Sequence, residues 1–150
     1  MEQHYAWYRI AHFIGMALWL GGIAATIALL TSASHVAAAQ KDAFIAKARR
    51  VAVAMDIGAM LALVFGFVMA FTKARWGNQT AFTTGGWLHI KLTLVVLGVL
   101  VPHIILRGRL ARLRKNPAGD VAVPAWIFPV VLVASIAIIV IVGYPTLLRK

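Results

Sequence analysis

His12, Asp56, His89, Lys91 and His103 each interrupt a long apolar run. An ionisable side chain inside a membrane-length apolar segment is costly, so each is a functional candidate before it is anything else. The stretch Gly86 to Leu106 carries three of them. On a straight helix His89 and His103 lie about 21 Å apart along the axis and within about 40° of one face. Lys91 sits roughly 200° round from His89. Imidazoles are ligands for haem iron or other metals and carry protons. A membrane lysine binds anionic groups or snorkels to the interface. An intramembrane carboxylate such as Asp56 needs a cation, a proton or a polar partner.

These residues belong to a chain built for lipid. Its 150 residues are 62% hydrophobic and 13% charged, with a mean hydropathy of +0.87. A soluble domain of that size exposes far more polar surface. The net charge of +11 flanks apolar runs, as topology control and anionic lipid require, and is not a nucleic-acid signal. The absence of cysteine excludes disulfides, iron–sulfur clusters and thiolate metal sites. The polar, aromatic start MEQHYAWYRI does not read as a signal peptide.

Four spans are expected in one domain over 1–150: about 10–30, 51–71, 86–106 and 123–148. Tyr5, Trp7, Tyr8 and Arg9 form an interfacial head. Span one holds His12, with Gly15, Trp19 and Gly22 on one side, for close helix approach or for a flat cofactor. The connector 31–50 carries His35, Lys41, Asp42, Lys47, Arg49 and Arg50, and its Ala-rich second half extends span two as an amphipathic helix. Span two holds Asp56, and a polar turn-rich loop follows it. Pro102 marks a kink in span three. A basic loop holds Arg107, Arg109, Arg112, Arg114 and Lys115. Span four has no ionisable residue, and Pro129 is expected to bend it. The basic connectors hold nine lysines and arginines against five on the other side, which puts them in the cytoplasm and both termini outside. The fold expected is an all-α, four-helix antiparallel membrane bundle.

In that bundle His12 and His89 share a depth near the outer boundary, and His35 and His103 share one near the inner boundary. Paired imidazoles on facing helices hold haem b in helical bundles. His12 and His89 are the expected iron ligands, with His35 and His103 as the alternative. Trp19, about 20° round from His12, walls the cofactor, and Met16 lies beside it. The Met16, Met55, Met60 and Met69 set reads as packing rather than ligation. Asp56 is expected to be partnered by an inner-boundary base or by a proton.

AHFIGMALWLGG, the Ala48-Arg49-Arg50 run before span two, and GWLHIKL followed by Pro102-His103 and a basic segment resemble the HemJ-type membrane protoporphyrinogen oxidases. The segment Trp87-Leu88-His89-Ile90-Lys91-Leu92 matches that family's W-L-H-x-K-L motif. The resemblance implies haem b, oxidation of a porphyrinogen, and electrons passed to a quinone-like acceptor. It puts His12 and Lys91 first among functional residues, with His89 and Arg50 next. Lys91, Arg50 and Asp56 are the expected catalytic set. The family's polar segment before the last span is replaced here by AVPAW, its last-span lysine before proline by Gly143-Tyr144, and its Pro-Ala-Met by Gly58-Ala59-Met60. The WLGG and KL elements are also similar to the CopD-type copper-resistance membrane domain. Other readings are a copper-handling protein of that type, a b-type cytochrome subunit, and a structural membrane subunit with no cofactor. The expected partners are the bilayer of a bacterial inner membrane, a porphyrinogen or quinone-like molecule, and further copies of the chain.

Overall fold

The computed structural model describes residues 2–72, 87–117 and 121–147, with side chains over 4–72, 88–117 and 121–141. The polar loop after span two and the terminal basic pair Arg149 and Lys150 lie outside the described residues. Helix α1 runs Glu2–Ser32, two short 3-10 turns follow at Ala33–His35 and Ala38–Gln40, and α2 runs Lys41–Phe71. Helix α3 is Trp87–Val95, a π-helical turn spans Val96–Leu100, α4 is Val101–Lys115, and α5 is Ile127–Leu147. Every regular element among the described residues is helical.

Three helical rods are long and apolar enough to cross a bilayer: His4–His35, Ala38–Phe71 and Leu88–Lys115. A fourth, shorter apolar helix is described over Ile127–Ile141. The chain is a multi-pass membrane protein. Its surface says the same, because Phe13, Leu18, Ile57, Val64, Leu97, Ile104, Val133 and Ile139 point outward. Outward Phe, Ile and Val in such number suit hydrocarbon rather than water.

Helices α1 and α2 pack along most of their length, and small residues make that possible. A Cβ on Gly15 would lie 2.5 Å from Ala62 N, one on Gly22 2.6 Å from Met55 Cβ, and one on Gly58 2.5 Å from Trp19 N. Gly15 and Gly22 are seven residues apart, as are Met55 and Ala62, so the two antiparallel helices keep one register over two turns. Close backbone approach is therefore the reason for the span-one glycines. The 3-10 turns reverse the chain, and Lys41 Nζ donates to Ala33 O at 2.8 Å, placing a cation on the carbonyl end of that half. As expected, the basic second half of the connector is helical and continuous with span two.

The second half of the chain is looser. Helix α3 and the π turn pack on α5, with Gly98 against Ala134, and α4 makes lighter contact with α1 and α2. A core of Trp19, Ile23, Met55, Val99, Leu106 and Ile127 joins all four rods. The π turn has a local cause. Pro102 has no N–H for the carbonyl four residues back, and its ring crowds that carbonyl; a wider turn relieves both. Pro129 does not bend a span. Helix α5 starts at Ile127, so Pro129 falls in the first turn, where its missing N–H costs nothing.

Gly58→Ala is expected to destabilise the purified protein by about 1–3 kcal/mol, since backbone must move to admit the methyl. Gly21, whose Cβ would meet nothing within 4 Å, should accept alanine within about 0.5 kcal/mol. Thermal unfolding of both variants in detergent reads the difference.

Candidate functional site

The sequence-predicted residues divide between a cavity and an ion cluster beneath it. The cavity has a volume of about 80 Å³ and lies where all four rods meet. His12, Met16 and Trp19 line it from α1, Ala62 and Gly66 from α2, and Lys91 from α3. Its remaining walls are almost wholly apolar side chains, with Ser135 from α5 spending its hydroxyl on Val131 O at 2.7 Å.

His12 is held rather than merely present. Its Nδ1 lies 2.7 Å from Ala62 O. A carbonyl only accepts, so Nδ1 carries the proton and Nε2 keeps a lone pair. Orienting one ring nitrogen on a backbone carbonyl is how metal-binding histidines are commonly fixed. Glycine at position 66 leaves room for the ring, since a Cβ there would lie 3.1 Å from His12 Cε1. Among the described residues Nε2 has no hydrogen-bond partner, and neither has Lys91 Nζ. A histidine nitrogen with a lone pair and a lysine without a hydrogen-bond partner among the described residues thus line one apolar cavity.

The ion cluster sits one layer toward the basic end. Trp19 Nε1 donates to His103 Nδ1 at 3.1 Å, and His103 Nε2 lies 3.3 Å from Asp56 Oδ1. Arg107 Nη2 reaches Asp56 Oδ2 at 3.1 Å. An indole N–H can only donate, so the partners assign the His103 proton to Nε2, facing the carboxylate. Asp56 therefore has the basic partner expected of it, and an imidazole as well. The indole and imidazole rings meet edge to face with centroids 6.0 Å apart.

The expected pairing of His12 with His89 is not made. His89 is exposed and does not line the cavity, while Lys91, two residues on, does. The π turn explains the inversion. It inserts the equivalent of one residue, about 100°, between the two ends of the rod. That removes the common stripe of His89 and His103 and brings Lys91 to within about 20° of His103 instead. The alternative ligand pair fails on chemistry: both His103 nitrogens are engaged, and His35 is exposed beside Ser34, 3.2 Å from its hydroxyl. Arg50 is exposed on α2 and is not part of the cavity lining. Arg107, which no motif singled out, is the cation that Asp56 uses. Its signal in the sequence was its place four residues after His103, one helical turn along the same face. Among the described residues no three or more of His, Asp and Glu gather as a metal site.

No known family profile matches the chain, and no solved structure matches it. A curated protoporphyrinogen IX oxidase of Helicobacter pylori (strain J99) is 41% identical over 64 residues, covering 41% of this chain and 43% of the relative. The chain spans less than half of that relative. The match supports the resemblance to protoporphyrinogen oxidases over part of the chain and lends nothing to the copper-resistance one.

The Asp56–Arg107 pair is half exposed, so its coupling should be modest. In a double-mutant cycle of Asp56→Asn and Arg107→Gln, unfolding in detergent should show an interaction of up to about 1 kcal/mol. Strictly additive losses would mean that the two side chains do not stabilise each other.

Proposed function

We propose that this protein is a haem b-binding membrane oxidoreductase. It takes electrons from a porphyrinogen-like tetrapyrrole and passes them to a quinone-like acceptor in the bilayer. The observation that carries the reading is the pairing of His12 Nε2 with Lys91 in one cavity of a chain partly similar to a protoporphyrinogen IX oxidase. The donor set suits the chemistry. Haem and porphyrinogen both carry carboxylates for Lys91, and haem iron takes an imidazole nitrogen such as His12 Nε2. Bound there, haem b would supply one-electron transfer between substrate and acceptor.

The chain's own residues bind, orient and keep dry. Ala62 O holds the His12 ring in one tautomer. Lys91 compensates a ligand carboxylate that the apolar walls would otherwise reject. Met16 and Trp19 wall the space, and water is excluded by the apolar lining. The cavity is well below the roughly 300–1,000 Å³ of ordinary ligand pockets. A tetrapyrrole therefore requires the α1–α2 pair to part from α3 and α5, the side of the bundle with the lighter contacts. In the bacterial inner membrane both termini face outward, with the basic connectors in the cytoplasm.

Three results are expected. Purified protein should show a Soret band, lost or shifted in His12→Ala and unchanged in His89→Ala. Lys91→Ala should weaken protoporphyrin binding about tenfold or more, and Lys91→Arg should restore much of it. Haem content and spectrum that survive His12→Ala unchanged would remove the ligand assignment. For topology, cysteines at Asn78 and Asn116 should label from outside and inside respectively; the reverse pattern inverts the orientation.

A further inference from the structure

We propose that His103, with Asp56 and Trp19, forms a proton-binding site whose occupancy is exclusive with the closed position of the cavity wall. Trp19 is both a lining residue of the cavity and the donor to His103 Nδ1. His103 already holds one proton on Nε2 toward Asp56. A second proton must go to Nδ1, the atom that accepts from the indole. Once Nδ1 is an N–H, two donors face each other and the bond becomes a repulsion. Trp19 is buried at 3% exposure, so it cannot shift locally without changing the cavity wall.

Few charged groups face His103 from the elements packed around it. Asp56 from α2 faces Nε2, and Arg107, on His103's own helix, holds the other carboxylate oxygen. Helix α1 contributes only the neutral indole. Helix α5 has no acidic or basic residue. Lys91 is twelve residues earlier on the α3 side, in the cavity above. Before uptake the Asp56–Arg107 pair is neutral; afterwards the cluster carries one positive charge. Asp56 and Arg107 are 39% and 42% exposed, so the cluster reaches the surface of the bundle beside the basic segment Arg107 to Lys115. One proton is taken from solvent there, one N–H bond forms at Nδ1, and one hydrogen bond from Trp19 is lost.

Linkage makes the coupling reciprocal. A ligand that displaces Trp19 frees Nδ1 and raises the affinity of His103 for a proton. A proton on His103 releases Trp19 and loosens the cavity wall. The proton site itself stands apart from the redox reading, while its linkage to ligand binding rests on the proposed tetrapyrrole.

The test uses the full chain in lipid nanodiscs with 15N-labelled tryptophan and histidine. In the native protein the Trp19 indole resonance should shift through one transition, coincident with His103 titration. His103→Gln keeps an acceptor for Trp19 and a donor for Asp56 but cannot charge, so the Trp19 resonance should stay fixed. Trp19→Phe removes the competing donor, and His103 should bind its proton on the order of tenfold more tightly. Protoporphyrin IX binding should vary with pH in the native protein and lose that dependence in His103→Gln. The proposal is overturned if Trp19 ignores the titration of His103, if it moves equally in His103→Gln, or if Trp19→Phe leaves the His103 titration in place. pH-independent protoporphyrin binding alongside a coupled Trp19 shift would overturn the cavity linkage. Loss of haem in His12→Ala, by contrast, bears on the redox reading alone.

Discussion

Hydrocarbon offers no hydrogen bonds, so every polar group inside this bundle must find its partner in the protein. That constraint organises the structure. His12 is spent on a backbone carbonyl, Thr26 lies against Met55 sulfur at 3.9 Å, and Ser135 bonds back within its own helix. Trp19, His103, Asp56 and Arg107 satisfy one another in a chain across α1, α2 and α4. Against that background Lys91 stands out, because no acceptor among the described residues reaches its ammonium. A cation left without an acceptor, one helix away from a histidine nitrogen left without a donor, is the feature on which the proposed ligand site rests.

The bundle divides its labour accordingly. The glycine seam between α1 and α2 gives a rigid half with fixed register, on which His12, Met16 and Trp19 are presented. The half made by α3, the π turn, α4 and α5 is less closely packed and brings Lys91 and His103 to the seam. The ion cluster ties the halves together at the basic end, and the cavity separates them above it. A site between a rigid and a yielding half can admit a group larger than its resting volume, provided the clasp at the base holds the register.

Much of this was legible in the sequence. Apolar length announced four rods, the Gly15–Gly22 spacing announced a close partner, and the cost of a buried carboxylate announced a base beside Asp56. His12, Lys91, Trp19 and Met16 were singled out and do share one cavity. What misled was the helical phase of the third rod. On a uniform helix His89 and His103 share a stripe, but Pro102 forces a wide turn upstream, and one residue of slip exchanges His89 for Lys91 as the inward group. The proline was visible as a kink; its effect on facing direction depends on whether the backbone bends or widens, and no residue type in the sequence decides between the two. Pro129 misled for a related reason, since a proline bends a helix only if the helix has already begun. The Trp19–His103 bond joins residues 84 positions apart, and no local pattern announces such a contact.

In the proposed function a tetrapyrrole binds between the His12 and Lys91 faces of this cavity. Photoaffinity labelling with a diazirine-bearing protoporphyrin in native membranes, read by peptide mass spectrometry, tests it most directly. Crosslinks should concentrate on Met16 to Leu20, Leu63 to Phe67 and Leu88 to Val95, and unlabelled protoporphyrin should compete them away. Labelling confined to the lipid-facing side chains of α5 or to the basic segment Arg107 to Lys115, and indifferent to competitor, would contradict it.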